Sequence, residues 1–256
     1  MSYRYEGYVI LITVLAQLAS IGFVSSISSL FGKVAFEPVS GSGSDLVNAL
    51  IFVLLPALGT IIYLRLRKHK KAKTIYAAAE AFLLFILTSL ILGYQSIPYY
   101  ITVALSLTIS IIAYVVIFKG DFISKTILAI LVSSESGAFL GVVFTPPTLY
   151  LVLLFFALYD VIAVFKGPLK KVIDEPGFGM LSMDIGKISM GLGDQIFYSM
   201  VPAAAFLLRG LLYSIIAMVV VDAGVLMTML LLRRRKALPG LTIPLLLSLL
   251  LFLLPL

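Results

Sequence analysis

Apolar runs of membrane-spanning length follow one another along almost the whole chain, a pattern that no soluble fold can bury. Nine are recognisable, at 8–31, 46–64, 75–93, 98–118, 122–144, 147–165, 191–208, 210–232 and 240–256. Each lies near the roughly 20 residues that cross a ~30 Å hydrocarbon core as an α-helix. Of the 256 residues, 61% are hydrophobic and 12% charged, against about 45–50% and about 25% in soluble domains. The expectation is an all-α integral membrane protein of nine helices forming one domain over 1–256. It divides into six spans within 1–165, a loop at 166–190 and three spans within 191–256. The first run is long and has no small-residue cleavage site after a basic start, so it reads as a retained span rather than a signal peptide.

Loop charge gives an orientation. Lys and Arg concentrate in cytoplasmic loops, so they should fall in alternate loops if the spans are counted correctly. Seventeen of the 19 basic residues do so, at Arg4, in 65–73, at Lys119 and Lys125, in 166–187 and in Arg233–Lys236; Lys33 and Arg209 fall on the other side. The N-terminus is expected in the cytoplasm and Leu256 outside it. The net charge of +7 is accounted for by this asymmetry and by attraction to anionic headgroups, with no nucleic-acid partner required. Short loops and small size lean towards the plasma membrane of a prokaryote or archaeon.

Several chemistries are excluded. There is no cysteine and one histidine, His69, inside the basic run 65–73. Thiolate nucleophiles, thiolate metal sites and disulfides therefore have no residues to use, and with a single histidine in a basic loop a zinc centre or a Ser-His site has no support. No metal or organic cofactor is expected.

Five acids lie within the apolar runs: Glu80, Glu135, Asp160, Asp194 and Asp222. A carboxylate in hydrocarbon costs several kcal/mol, so each is a functional candidate. Depth separates them. Asp160 lies roughly 8 Å from the end of the sixth span, and Asp194 roughly 5 Å into the seventh, both measured from the same side at 1.5 Å per residue. The two can meet at one level on antiparallel neighbours. Glu80 is near enough to the basic loop to snorkel to the interface. Glu135 and Asp222 sit near mid-membrane, either hydrogen-bonded and neutral or part of a proton path. Taken alone, Asp194 also fits an ordinary first-turn acid that satisfies free N–H groups.

Two carboxyl groups at one level suit hydrolysis by activated water, because like charges in contact share one proton unequally. One then accepts a proton from water while the other donates to the scissile carbonyl or the leaving amine. The sequences around the acids are Leu158-Tyr159-Asp160 and Gly191-Leu192-Gly193-Asp194-Gln195-Ile196-Phe197-Tyr198-Ser199, with Pro239-Gly240-Leu241 following a basic flank at the start of the ninth run. Glycines ahead of Asp194 let another backbone, of a helix or of a peptide, come close.

With the span order, these motifs resemble the presenilin and signal peptide peptidase family of intramembrane aspartyl proteases. The resemblance implies a presenilin-like fold, catalytic Asp160 and Asp194, and no cofactor. The substrates it implies are single-span membrane proteins or peptides within the bilayer. It further implies that Tyr159, Ile188, Ser189, Met190, Gly191, Leu192, Gly193, Pro239, Gly240 and Leu241 bind an unwound substrate as an added strand. Unwinding has a physical reason: a helix protects its own peptide bonds, and once freed, its backbone groups need partners. The family carries Ala where this chain has Gly240, a small-for-small exchange. Two rival readings are a prepilin or preflagellin type of peptidase, which shares Gly-x-Gly-Asp but has fewer spans, and a proton-coupled transporter using Glu135 and Asp222.

Overall fold

A computed structural model describes residues 3–30, 33, 38–41, 43–66, 69, 71–95, 97–166, 182–185, 188–233 and 238–254. Helices dominate: α1 (Tyr3–Ile27, continued by a 3-10 turn at Ser28–Leu30), α2 (Ser44–Leu66), α3 (Ala72–Tyr94), α4 (Tyr99–Lys119), α5 (Phe122–Val143), α6 (Pro146–Phe165), α7 (Leu192–Leu232) and α8 (Thr242–Leu253). Among the described residues, six helical stretches are long and apolar enough to cross a membrane: Tyr5–Leu30, Ala72–Tyr94, Tyr99–Lys119, Phe122–Val143, Pro146–Phe165 and Leu192–Leu232. The apolar stretches of α2 and α8, Ser44–Gly59 and Thr242–Leu253, are shorter.

The expected spans 191–208 and 210–232 are the two limbs of α7. Gly210 has φ 82°, a left-handed conformation that residues with a Cβ rarely adopt. The Ser214 hydroxyl donates to the Pro202 carbonyl at 2.7 Å. Along a straight helix those residues would stand about 18 Å apart, so the limbs fold back on each other at Gly210. Next to the bend, the Arg209 guanidinium donates to the Leu254 carbonyl at the end of α8 and lies over the Tyr213 ring, whose hydroxyl donates to Leu251 O.

The centre of the bundle is α1, α5 and α7 packed on one another. Helix α8 packs on α7, α6 on α8 and α2 on α6, with the α3–α4 pair on the far side. Helix α5 is the most enclosed of the long helices and α4 the least. Two glycines one turn apart, Gly137 and Gly141, explain the close seat of α5 on α7. A Cβ at Gly137 would lie 2.8 Å from Met200 N, and one at Gly141 3.0 Å from Ala204 N. This is a small-xxx-small contact, which lets helix backbones approach where lipid supplies no hydrophobic drive.

Residues expected on one side of a bilayer do meet at one end of the bundle. Arg233, at the end of α7, donates twice to buried Glu6 near the start of α1, at 2.8 and 2.6 Å. At the opposite end Thr148 and Thr145 donate to Asp45 Oδ1, and Gln95 donates to Ser26.

The segment expected as a plain loop at 166–190 ends in a small antiparallel sheet instead. Strand β1 (Ser182–Ile185) pairs with β2 (Ile188–Gly191), with Ser182 opposite Gly191 and Ile185 opposite Ile188. Helix α7 starts at the next residue. The remainder of that segment lies outside the described residues.

Candidate active site

Asp160 is in the last two turns of α6 and only 8% exposed. Asp194 is half-buried in the first turn of α7. Near them the rings of Phe156 on α6 and Phe197 on α7 meet, centroids 4.2 Å apart.

A third element crosses both acids. The Leu241 N–H donates to Asp160 Oδ2 at 2.6 Å, and the next residue, Thr242, ties the same segment to α6 through its hydroxyl on Ala157 O at 3.1 Å. The other acid lies against Gly240: a Cβ built there would overlap Asp194 Oδ2. The Tyr198 hydroxyl, one turn after Asp194, donates to the Gly240 carbonyl at 2.9 Å. Adjacent residues of one short segment thus touch one acid each.

The two glycines before Asp194 differ in their surroundings. A Cβ at Gly191 would rest 3.5 Å from the Asp194 carboxyl, an ordinary contact. Gly193 has nothing within 4 Å of such an atom and is exposed; it packs on no neighbouring helix. Of the other positions expected to bind substrate, Ile188, Ser189, Met190 and Gly191 form β2. Met190, Leu192, Pro239 and Leu241 are buried, and the half-buried Tyr159 ring meets Phe156 edge to face, centroids 6.3 Å apart.

The remaining membrane acids are placed elsewhere. Glu135, 2% exposed, accepts the Thr88 hydroxyl from α3. Asp222 lies on the second limb of α7, its Oδ1 buried without a hydrogen-bond partner among the described residues. The two acids are on different helices. Glu80 is half-buried on α3. His69, expected in a solvated loop, is exposed.

Three contributors carry no sequence signal of their own. Tyr198 lies inside the second motif without a predicted role, Thr242 follows the third motif, and Gln17 is one polar residue in an apolar helix.

Helices of membrane-spanning length, with two acids touched by adjacent residues of one segment, define a multi-pass membrane protein with a carboxyl pair inside it. Two solved structures of a presenilin family intramembrane aspartate protease, in space groups C222 and P2, are similar to this chain. The TM-scores are 0.71 and 0.72 at 19% and 18% sequence identity, over 95% of this chain in both cases and 95% and 94% of theirs. The chain has the presenilin fold. No family model matches the sequence, and no curated protein is similar to it in sequence.

Proposed function

We propose that this chain is an intramembrane aspartyl endopeptidase that hydrolyses peptide bonds within or near the membrane-spanning segments of other proteins. The observation that carries the reading is the meeting of Asp160 and Asp194 under Gly240 and Leu241, in a fold shared with proteases of that kind.

Water held between the carboxyl groups gives a proton to whichever is ionised and attacks the scissile carbonyl. The protonated partner donates to the carbonyl oxygen, and the tetrahedral intermediate then collapses with a proton passing to the leaving amine. The substrate, a single-span protein or peptide, reaches the acids unwound. Its freed backbone groups pair with a strand edge, which gives affinity through main-chain hydrogen bonds. The sheet has two strands among the described residues, so each has one edge without a strand partner. Because Met190, Leu192 and Leu241 are buried in the core, these positions serve the substrate through their backbones. Gly193 offers open space beside Asp194.

The same reading takes the chain through the membrane nine times, with α7 crossing twice and the N-terminus in the cytoplasm. It is supported by the bend at Gly210 and by the loop-charge asymmetry.

The test is cleavage of a single-span peptide by purified protein in liposomes, beside Asp160→Asn, Asp194→Asn and Glu135→Gln. Loss of cleavage in both aspartate variants with Glu135→Gln active is the expected result. Cleavage that persists in either aspartate variant would sink the assignment.

A further inference from the structure

Helix α7 contains a proline where the site needs a rigid support. Pro202 sits within α7, two turns after Asp194. A proline has no N–H, so the carbonyl four residues earlier, that of Tyr198, loses its usual helical donor. In a bundle that excludes water, a carbonyl without a donor is costly and leaves its turn free to shift.

The missing donor comes from another helix. Gln17 on α1 is fully buried, and its Nε2 donates to the Tyr198 carbonyl at 3.4 Å. It belongs to a polar stripe with Thr13 and Ser20, both also fully buried. Thr13 donates to the Gln195 side chain at 3.3 Å, and Ser20 to the Ser199 carbonyl at 3.0 Å. All three partners lie within five residues of Asp194.

We propose that Gln17 is a positioning residue of the aspartyl site, its amide replacing the N–H that Pro202 lacks. The effect reaches the acids through Tyr198, whose hydroxyl holds the Gly240 carbonyl while Gly240 lies on Asp194. This rests on the protease reading above.

The experiment is steady-state cleavage of a single-span peptide in liposomes, with kcat and KM separated and thermal unfolding followed on the same preparations. Gln17→Met keeps the length of the side chain and removes the donor. It should lower kcat by about tenfold or more, since a buried carbonyl loses its partner, and leave KM within about twofold.

The decisive comparison is made in Pro202→Ala, where residue 202 regains an N–H for the Tyr198 carbonyl. There, Gln17→Met should change kcat by less than about threefold. An unchanged kcat for Gln17→Met in the native background would overturn the proposal. So would an equal loss in both backgrounds, or a fall in thermal midpoint large enough to explain the loss by unfolding. If Pro202→Ala proves inactive, the infrared stretch of an isotope-labelled Tyr198 carbonyl decides: it should shift in Gln17→Met, and an unchanged stretch overturns the proposal. Absence of cleavage by the native chain would instead remove the protease reading beneath it, a result distinct from all of these.

Discussion

The amide of Leu241 donates to Asp160 Oδ2 at 2.6 Å, so the segment that opens α8 is bonded directly to one of the two acids. Leu241 has φ −80° at the N-cap of α8, close to the angle a proline ring imposes. Leu241→Pro therefore removes the donor with little change in the backbone at that residue, whereas Leu241→Ala retains it. Peptide cleavage should fall at least tenfold further in Leu241→Pro than in Leu241→Ala, the scale on which a hydrogen bond to a charged group acts. Equal activity in the two variants would show that the bond has no catalytic weight.

Gly240→Ala places a methyl group against Asp194 Oδ2. The obstructing atom ends a short side chain, so the acid can turn away while the helices stay where they are. We expect kcat to drop by about tenfold, the penalty of a misplaced catalytic group, and the thermal midpoint to stay within a few degrees. A fall in stability as large as that from a core mutation would mean that the backbone had yielded instead.

Gly137→Ala tests the packing of α5 on α7, because its Cβ would fall 2.8 Å from a backbone nitrogen. Overpacking of this kind costs about 1–3 kcal/mol. Gly22→Ala, in a helix with nothing within 4 Å of the added carbon, should be neutral or stabilising by up to about 1 kcal/mol. Denaturant unfolding in detergent would separate them, and equal stabilities would contradict the close approach of α5 to α7.

Arg233 and buried Glu6 fasten the end of α7 to the start of α1. Removing the cation alone, as in Arg233→Met, leaves a carboxylate buried without its partner. That should cost more than Glu6→Gln/Arg233→Met, in which both charges are gone. Unfolding of the two variants gives the order directly, and a double variant less stable than the single would reverse the interpretation.

Asp121 caps α5 at the surface by accepting the Ser124 N–H at 3.0 Å. Bonding to Ser124 lowers its carboxyl below the ordinary value. The group therefore contributes stability that is present above the unfolded pKa and lost as pH falls through the lower, folded one. Asp121→Ala should flatten the acid limb of the stability profile and leave the limb above pH ~5 parallel to that of the native chain.

How much of this was legible beforehand depended on the kind of signal. The helices followed from apolar length, which the bilayer itself dictates, and the break at Gly210 fell between two runs. Asp160 and Asp194 stood out because a charge in hydrocarbon is costly and depth can be counted along a helix. The β hairpin was missed, although Ser182–Ile185 and Ile188–Gly191 are two short runs separated by Gly186-Lys187, because the surrounding mixed charge reads as a loop. The support of Tyr198 by Gln17 could not be read at all. Pro202 announces that a carbonyl has lost its donor, but nothing local says which helix supplies another. Gly137 and Gly141 show the required spacing, yet spacing does not name the partner helix.

The shortness of α8 has a consequence for the catalytic water. Twelve residues, Thr242–Leu253, rise about 18 Å, some 12 Å less than the ~30 Å hydrocarbon thickness. Its far end is fastened beside Arg209, and the two acids lie at its other end. A short helix is accommodated by local thinning of the bilayer, which would bring the lipid–water boundary down towards the carboxyl groups. The same truncation that submerges the site would then let its second reactant reach it.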